Sequence, residues 1–140
     1  MENTRVNQAW GALKVVFGVV PVVAGLDKFF NLLTNWEQYL SPIATRVLPI
    51  GASTLMRTVG VVEILVGLMI LTRWTRIGAY VAAAWLVLIA VNLLTTGHFF
   101  DVAARDVALA VGAFALARLE EARAAARVRS PQRTLVPAQV

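Results

Sequence analysis

The chain has 140 residues, of which 59% are hydrophobic, and a mean hydropathy of +0.70. A water-soluble domain carries about 45–50% apolar residues, so the surplus excludes an ordinary soluble globule and requires a solvent other than water. The net charge of +5 and the pI near 10.8 do not point to nucleic acid, because the arginines gather at the ends of apolar segments and in the C-terminal tail, as membrane topology demands.

The chain has no cysteine, which excludes structural disulfides, thiol relays and thiolate metal sites. A redox role would therefore need a bound cofactor or a partner protein. Length allows one domain, and spans of roughly 20 residues each would occupy more than half of it.

After a short polar start with Glu2 and Arg5, the first apolar run extends from about Ala9 to Phe30, interrupted by Lys14 and Pro21 before Asp27-Lys28. No small-residue cleavage site follows it, so a retained helix is expected rather than a signal peptide. Pro21 predicts a kink, since neighbouring helices satisfy a freed carbonyl inside a membrane. In the connection that follows, Trp36, Tyr39, Leu40, Ile43 and Val47 recur at helical spacing, with Pro42 and Pro49 cutting the segment into short amphipathic pieces.

The second run covers about Thr54 to Thr72 and holds Arg57 and Glu63; the third, Ile77 to Thr96, has no charge. The fourth, about Asp101 to Leu119, holds Arg105 and Asp106 near its start. From Arg118 to Arg129 the chain is rich in alanine and arginine, which predicts a helix continuing into water, and from Ser130-Pro131 onward disorder is expected. The expected fold is thus an all-α membrane four-helix bundle with a short amphipathic helical segment in the outer loop between helices 1 and 2. Its spans lie at about 9–30, 54–72, 77–96 and 101–119, and residues 120–140 form a cytoplasmic arginine-rich extension and tail.

Orientation follows from the basic residues. Arg5, Arg73, Arg76, Arg118, Arg123, Arg127, Arg129 and Arg133 fall on one side, and Lys28 and Arg46, offset by Asp27 and Glu37, on the other. The positive-inside rule then puts both termini in the cytoplasm. Trp10 and Trp74 on the inner side, and Trp36, Tyr39, Phe99 and Phe100 on the outer, fall where aromatic belts lie. A short echo between Gly25-Leu-Asp-Lys-Phe-Phe and Gly97-His-Phe-Phe-Asp is read as chance similarity.

Ionisable groups inside a membrane cost roughly 2.5–3.5 kcal/mol on insertion scales, so those embedded here are the candidate site residues. Glu63 lies near the middle of span two and Lys14 a few residues into span one, their levels differing by roughly 6 Å, which makes an ion pair between them an expectation. Two roles stay open for that pair: a proton-accepting or ligand-anchoring site, or a clasp between spans one and two.

A second cluster is expected toward the outer face, from Asp27, Lys28, Arg57, His98, Asp101, Arg105 and Asp106, with Asp101 and Arg105 spaced to pair on one helical face. It could cradle a quinone head group or an anion, or serve as interfacial salt bridges. One histidine does not supply the two axial ligands of a membrane cytochrome, so neither haem nor a metal is expected. Gly60 and Gly67, with Gly11, Gly18, Gly78 and Gly112, are expected at close helix contacts, and Asn92 is expected to hydrogen-bond inside the bundle.

This order of features resembles the DoxX-like family of small four-span bacterial membrane proteins. The features are Lys14 opening span one, Gly25-Leu-Asp-Lys28-Phe29 closing it, and Glu63-Ile-Leu-Val-Gly67 leading to Arg73 in span two. The similarity covers roughly residues 10 to 118. Lysine stands at position 14 where arginine is commoner in the family, and the outer loop is longer and more aromatic.

The family includes a subunit of a thiosulfate:quinone oxidoreductase and members linked to redox-stress complexes. The resemblance therefore implies a quinone-associated accessory subunit of a membrane redox system. A small proton-coupled transporter is the alternative from another class, disfavoured because small multidrug exporters carry their carboxylate in span one, where this chain has Lys14. A third is a structural anchor that holds a cytoplasmic partner, or anionic lipid, through the arginine-rich helix. The lipid bilayer, a redox-protein partner and a second copy of the chain are the partners left open.

Overall fold

The computed structural model of the chain describes residues 4–133, and every described element is helical. In chain order these are α1 (Thr4–Asp27), a 3₁₀ turn (Trp36–Tyr39), α2 (Pro42–Val47), α3 (Ala52–Leu71), α4 (Thr75–Thr95) and α5 (Phe100–Arg133). Of these, α1, α3 and α4 are long and apolar enough to cross a membrane; at about 1.5 Å per residue each exceeds or matches a hydrocarbon core of about 30 Å.

Local chemistry explains the boundaries. α1 runs unbroken through Pro21. In the connection between α1 and α3, Ser41 caps α2 by accepting the Ile43 N–H at 3.1 Å, and Pro42 takes the first helical position, where no N–H is needed. Pro42 therefore starts a helix. Asn35 caps the 3₁₀ turn in the same way through the Glu37 N–H at 3.2 Å. Asn92 ties this connection to α4: its side chain accepts the Ser41 N–H at 3.1 Å and donates to the Tyr39 carbonyl at 2.8 Å.

α5 differs from the expectation of disorder beginning at Ser130, since the helix continues to Arg133. The alanine- and arginine-rich sequence of strong helix formers carries it past Ser130-Pro131. At about 1.5 Å per residue it is close to 50 Å long, well beyond the other helices. The rest of the expected disordered tail, 134–140, lies outside the described residues.

Packing divides the helices into two close pairs, α1 with α3 and α4 with α5. Glycines bring α1 and α3 together. A Cβ added to Gly25 would stand 2.5 Å from the Gly60 carbonyl oxygen, and one added to Gly67 the same distance from that of Gly18, so the two backbones touch at two levels one heptad apart. Gly78 meets Ile70 and Gly112 meets the Phe17 ring, whereas Gly11 faces open space and holds no contact of the expected kind.

The central core joins Phe17, Val66, Ile70, Ala79, Ala82, Ala113, Leu116 and Ala117. Outside it the helices remain greasy. On α1, Val15, Val16, Val19, Val20 and Val23 are each exposed by at least 43%. A helix of a soluble protein turns a polar face outward; α1 does not.

Candidate functional site

The register of α1 against α3 decides which charges meet. Gly18 opposes Gly67 and Gly25 opposes Gly60, so Glu63 is level with Val22, and Lys14 with Leu71. Helical side chains lean toward the N-terminus of their own helix. On these antiparallel helices Glu63 leans toward the level of Gly60, and Lys28, just past the end of α1, leans back toward Gly25. They converge there: the Lys28 Nζ donates to Glu63 Oε2 at 2.6 Å, with the side chains only 4% and 12% exposed.

The expected Lys14–Glu63 pair is therefore corrected. The two residues are separated by about 12 Å of helix and lean in opposite directions. Lys14 instead donates to the Thr72 carbonyl at 3.1 Å and stands 4.9 Å from the centroid of the Trp10 ring.

Asp27, the last residue of α1, builds the wall beside the pair. Its carboxylate accepts the backbone N–H of Leu32 and of Leu33, each at 3.0 Å, and the Trp36 indole N–H at 2.8 Å. Asn31, with φ of 53°, supplies the left-handed residue of this turn. The chain thereby doubles back and sets the Trp36 ring against Lys28, whose Nζ lies 3.7 Å from the ring centroid, a cation–π contact. Trp36 thus belongs to the site. The sequence signal for it is the Asp27–Trp36 spacing, which has meaning only once the turn is known.

Asp106 comes from α5. It is 4% exposed, and its charge acts on both Glu63 and Lys28. Arg105 donates to Asp106 Oδ1 through Nε at 3.2 Å and Nη2 at 3.1 Å while its own side chain stays 64% exposed. The expected Asp101–Arg105 pair is replaced by this one. The buried carboxylate of Asp106 gains from a cation, whereas Asp101 is exposed and solvated.

His98 and Arg57 are exposed and outside the cluster. Arg57 heads the outward stripe of Val61, Leu65 and Leu68. Of the expected residues, then, Lys28, Glu63, Asp106 and Arg105 come together, and Lys14, Arg57, His98 and Asp101 do not join them.

Within the cluster the polar valences are only partly used. Among the described residues, Glu63 Oε1 and Asp106 Oδ2 accept no hydrogen bond, and Lys28 donates one of its three. The site thus offers both donors and acceptors in a largely water-excluded place. A shallow apolar groove of about 330 Å³ lies between α4 and α5, formed by Ala83, Ala84 and Val87 against Val107, Ala110, Val111 and Phe114, and no residue of the charged cluster lines it. No group of three or more metal-ligating side chains occurs among the described residues. Comparison with protein-family models, curated proteins and solved structures returns no match to this chain.

Proposed function

We propose that the chain is a four-pass protein of the bacterial inner membrane, with both termini cytoplasmic, that serves as a quinone-associated accessory subunit of a membrane redox system. The outward apolar faces of α1, α3 and α4 support the bilayer setting. The charge bias of the sequence supports the orientation. α5 supplies the fourth pass through residues 101–119, packed along α4, with Asp106 turned into the bundle and neutralised by Arg105.

The observation that carries the functional reading is the buried Lys28–Glu63 pair with Asp106 beside it. A quinone presents carbonyl oxygens that need donors, and a quinol presents hydroxyls that need acceptors. Lys28, whose ammonium donates one hydrogen bond to Glu63 and otherwise faces the Trp36 ring, meets the first need, and Glu63 Oε1 and Asp106 Oδ2 meet the second. Reduction takes up two electrons and two protons. The partner protein supplies the electrons, and the two carboxylates relay the protons to the head-group oxygens. The apolar groove between α4 and α5 suits an isoprenoid tail. The resemblance to the DoxX-like family points the same way.

The test is extraction of quinone from protein purified in mild detergent. Wild type should retain quinone, and Lys28→Met and Glu63→Gln should each release it, whereas His98→Ala should not. Quinone-free wild type, or full retention in the Lys28 and Glu63 variants, would refute the reading.

A further inference from the structure

A second charged feature lies at the opposite end of the α1–α3 pair. Among the described residues of that end, the only carboxylates are Glu120 and Glu121, and both are engaged on α5. Glu121 pairs with Arg118 at 2.6 Å and accepts the Tyr80 hydroxyl at 3.0 Å, and Glu120 lies 3.7 Å from Arg123. Arg123 also covers the Trp10 ring at 3.7 Å and donates to Asn7 at 2.8 Å. The arginines at the base of the α5 extension are thus partly spent inside the protein.

At the α3–α4 turn, by contrast, Lys14, Arg73 and Arg76 have no carboxylate within 4.0 Å among the described residues. Lys14 is anchored there by the Thr72 carbonyl, next in the chain to Arg73. Large apolar side chains are exposed immediately beside these cations: Leu71 by 37%, Trp74 by 49% and Ile77 by 44%.

We infer that the α3–α4 turn is a seat for the head group of an anionic phospholipid, with Arg73, Arg76 and Lys14 around its phosphate and Leu71, Trp74 and Ile77 against the first acyl carbons. The combination selects the occupant. A free phosphate or an acidic peptide would be drawn to the cations but has no use for the exposed apolar side chains, whereas a lipid uses both halves. The inference rests on the bilayer setting proposed above and is independent of quinone. It also moves the lipid contact from the arginine-rich extension, where the sequence placed it, to the turn.

The experiment is native mass spectrometry of the full chain in detergent, titrated with phosphatidylglycerol or phosphatidylcholine. Wild type should hold phosphatidylglycerol in preference. Each basic residue near an anionic surface contributes roughly fivefold, so Arg73→Ala with Arg76→Ala should weaken phosphatidylglycerol about 30-fold. Phosphatidylcholine should be untouched. Arg118→Ala should leave both lipids unchanged, and Arg73→Lys with Arg76→Lys should restore most of the preference, which separates charge from folding damage. Equal retention of the two lipids, undiminished phosphatidylglycerol in the double alanine variant, or displacement by inorganic phosphate or an acidic peptide at equal concentration would overturn the inference. A chain that stays soluble without detergent would instead refute the bilayer setting itself.

Discussion

The Lys28 ammonium and the Glu63 carboxylate meet at 2.6 Å, although one lies just past the end of α1 and the other near the middle of α3. Close backbone contact at Gly25 and Gly60 and the N-terminal lean of helical side chains bring them together. The two charges are nearly buried, so the pair is a strong constraint once formed.

Removing one partner leaves the other charge buried and uncompensated. Lys28→Met and Glu63→Gln should each lower stability by about 3–5 kcal/mol, read from unfolding in detergent micelles. The double variant Lys28→Met with Glu63→Leu should recover most of that loss, because a well-packed apolar pair replaces a buried ion pair at little cost. A double variant as unstable as the sum of the singles would show that the two charges do not act on each other.

Asp27 acts on the site through Trp36. Asp27→Ala removes the acceptor of the indole N–H and of two backbone N–H groups, so the turn should open and Trp36 should become wetter. The readout is a red shift of Trp36 emission in a background of Trp10→Phe, Trp74→Phe and Trp85→Phe. Asp27→Asn should show a smaller shift, since its amide oxygen still accepts. Unchanged emission in the alanine variant would contradict the role assigned to Asp27.

The glycine contacts make a contrast. Gly60→Ala places a Cβ 2.6 Å from the Gly25 carbonyl and 3.1 Å from the Lys28 Cβ, and should destabilise by about 1–3 kcal/mol through overpacking. Gly11→Ala meets nothing within 4 Å and should be neutral, or stabilise by up to about 1 kcal/mol through helix propensity. Thermal unfolding of the two variants side by side checks the register on which the ion pair depends.

Much of this architecture is legible in the sequence, because unbroken apolar runs need only length and hydropathy to be read. Glu63 stands out for the same reason, being a charge amid leucine and valine. Axial level alone points to Lys14 as its partner, but level ignores the direction in which side chains lean and the register that the glycine pairs impose. Helical spacing pairs Asp101 with Arg105, yet burial of Asp106 decides the competition. Trp36 and Asn92 depend on how the connection between α1 and α3 folds back, at Asp27 and against Tyr39 and Ser41, and that path is tertiary. Pro131 reads as a helix stop in the sequence, although α5 extends to Arg133.

Trp36 lies 3.7 Å from the Lys28 ammonium, so a quinone bound at the pair would quench it. The most direct measurement is titration of the single-tryptophan protein, with Trp36 alone retained, by a short-tailed quinone analogue. Saturable quenching is expected, and Glu63→Gln or Lys28→Met should abolish it. Quenching that rises linearly without saturation, or that survives both substitutions, would contradict a head-group site at Lys28 and Glu63.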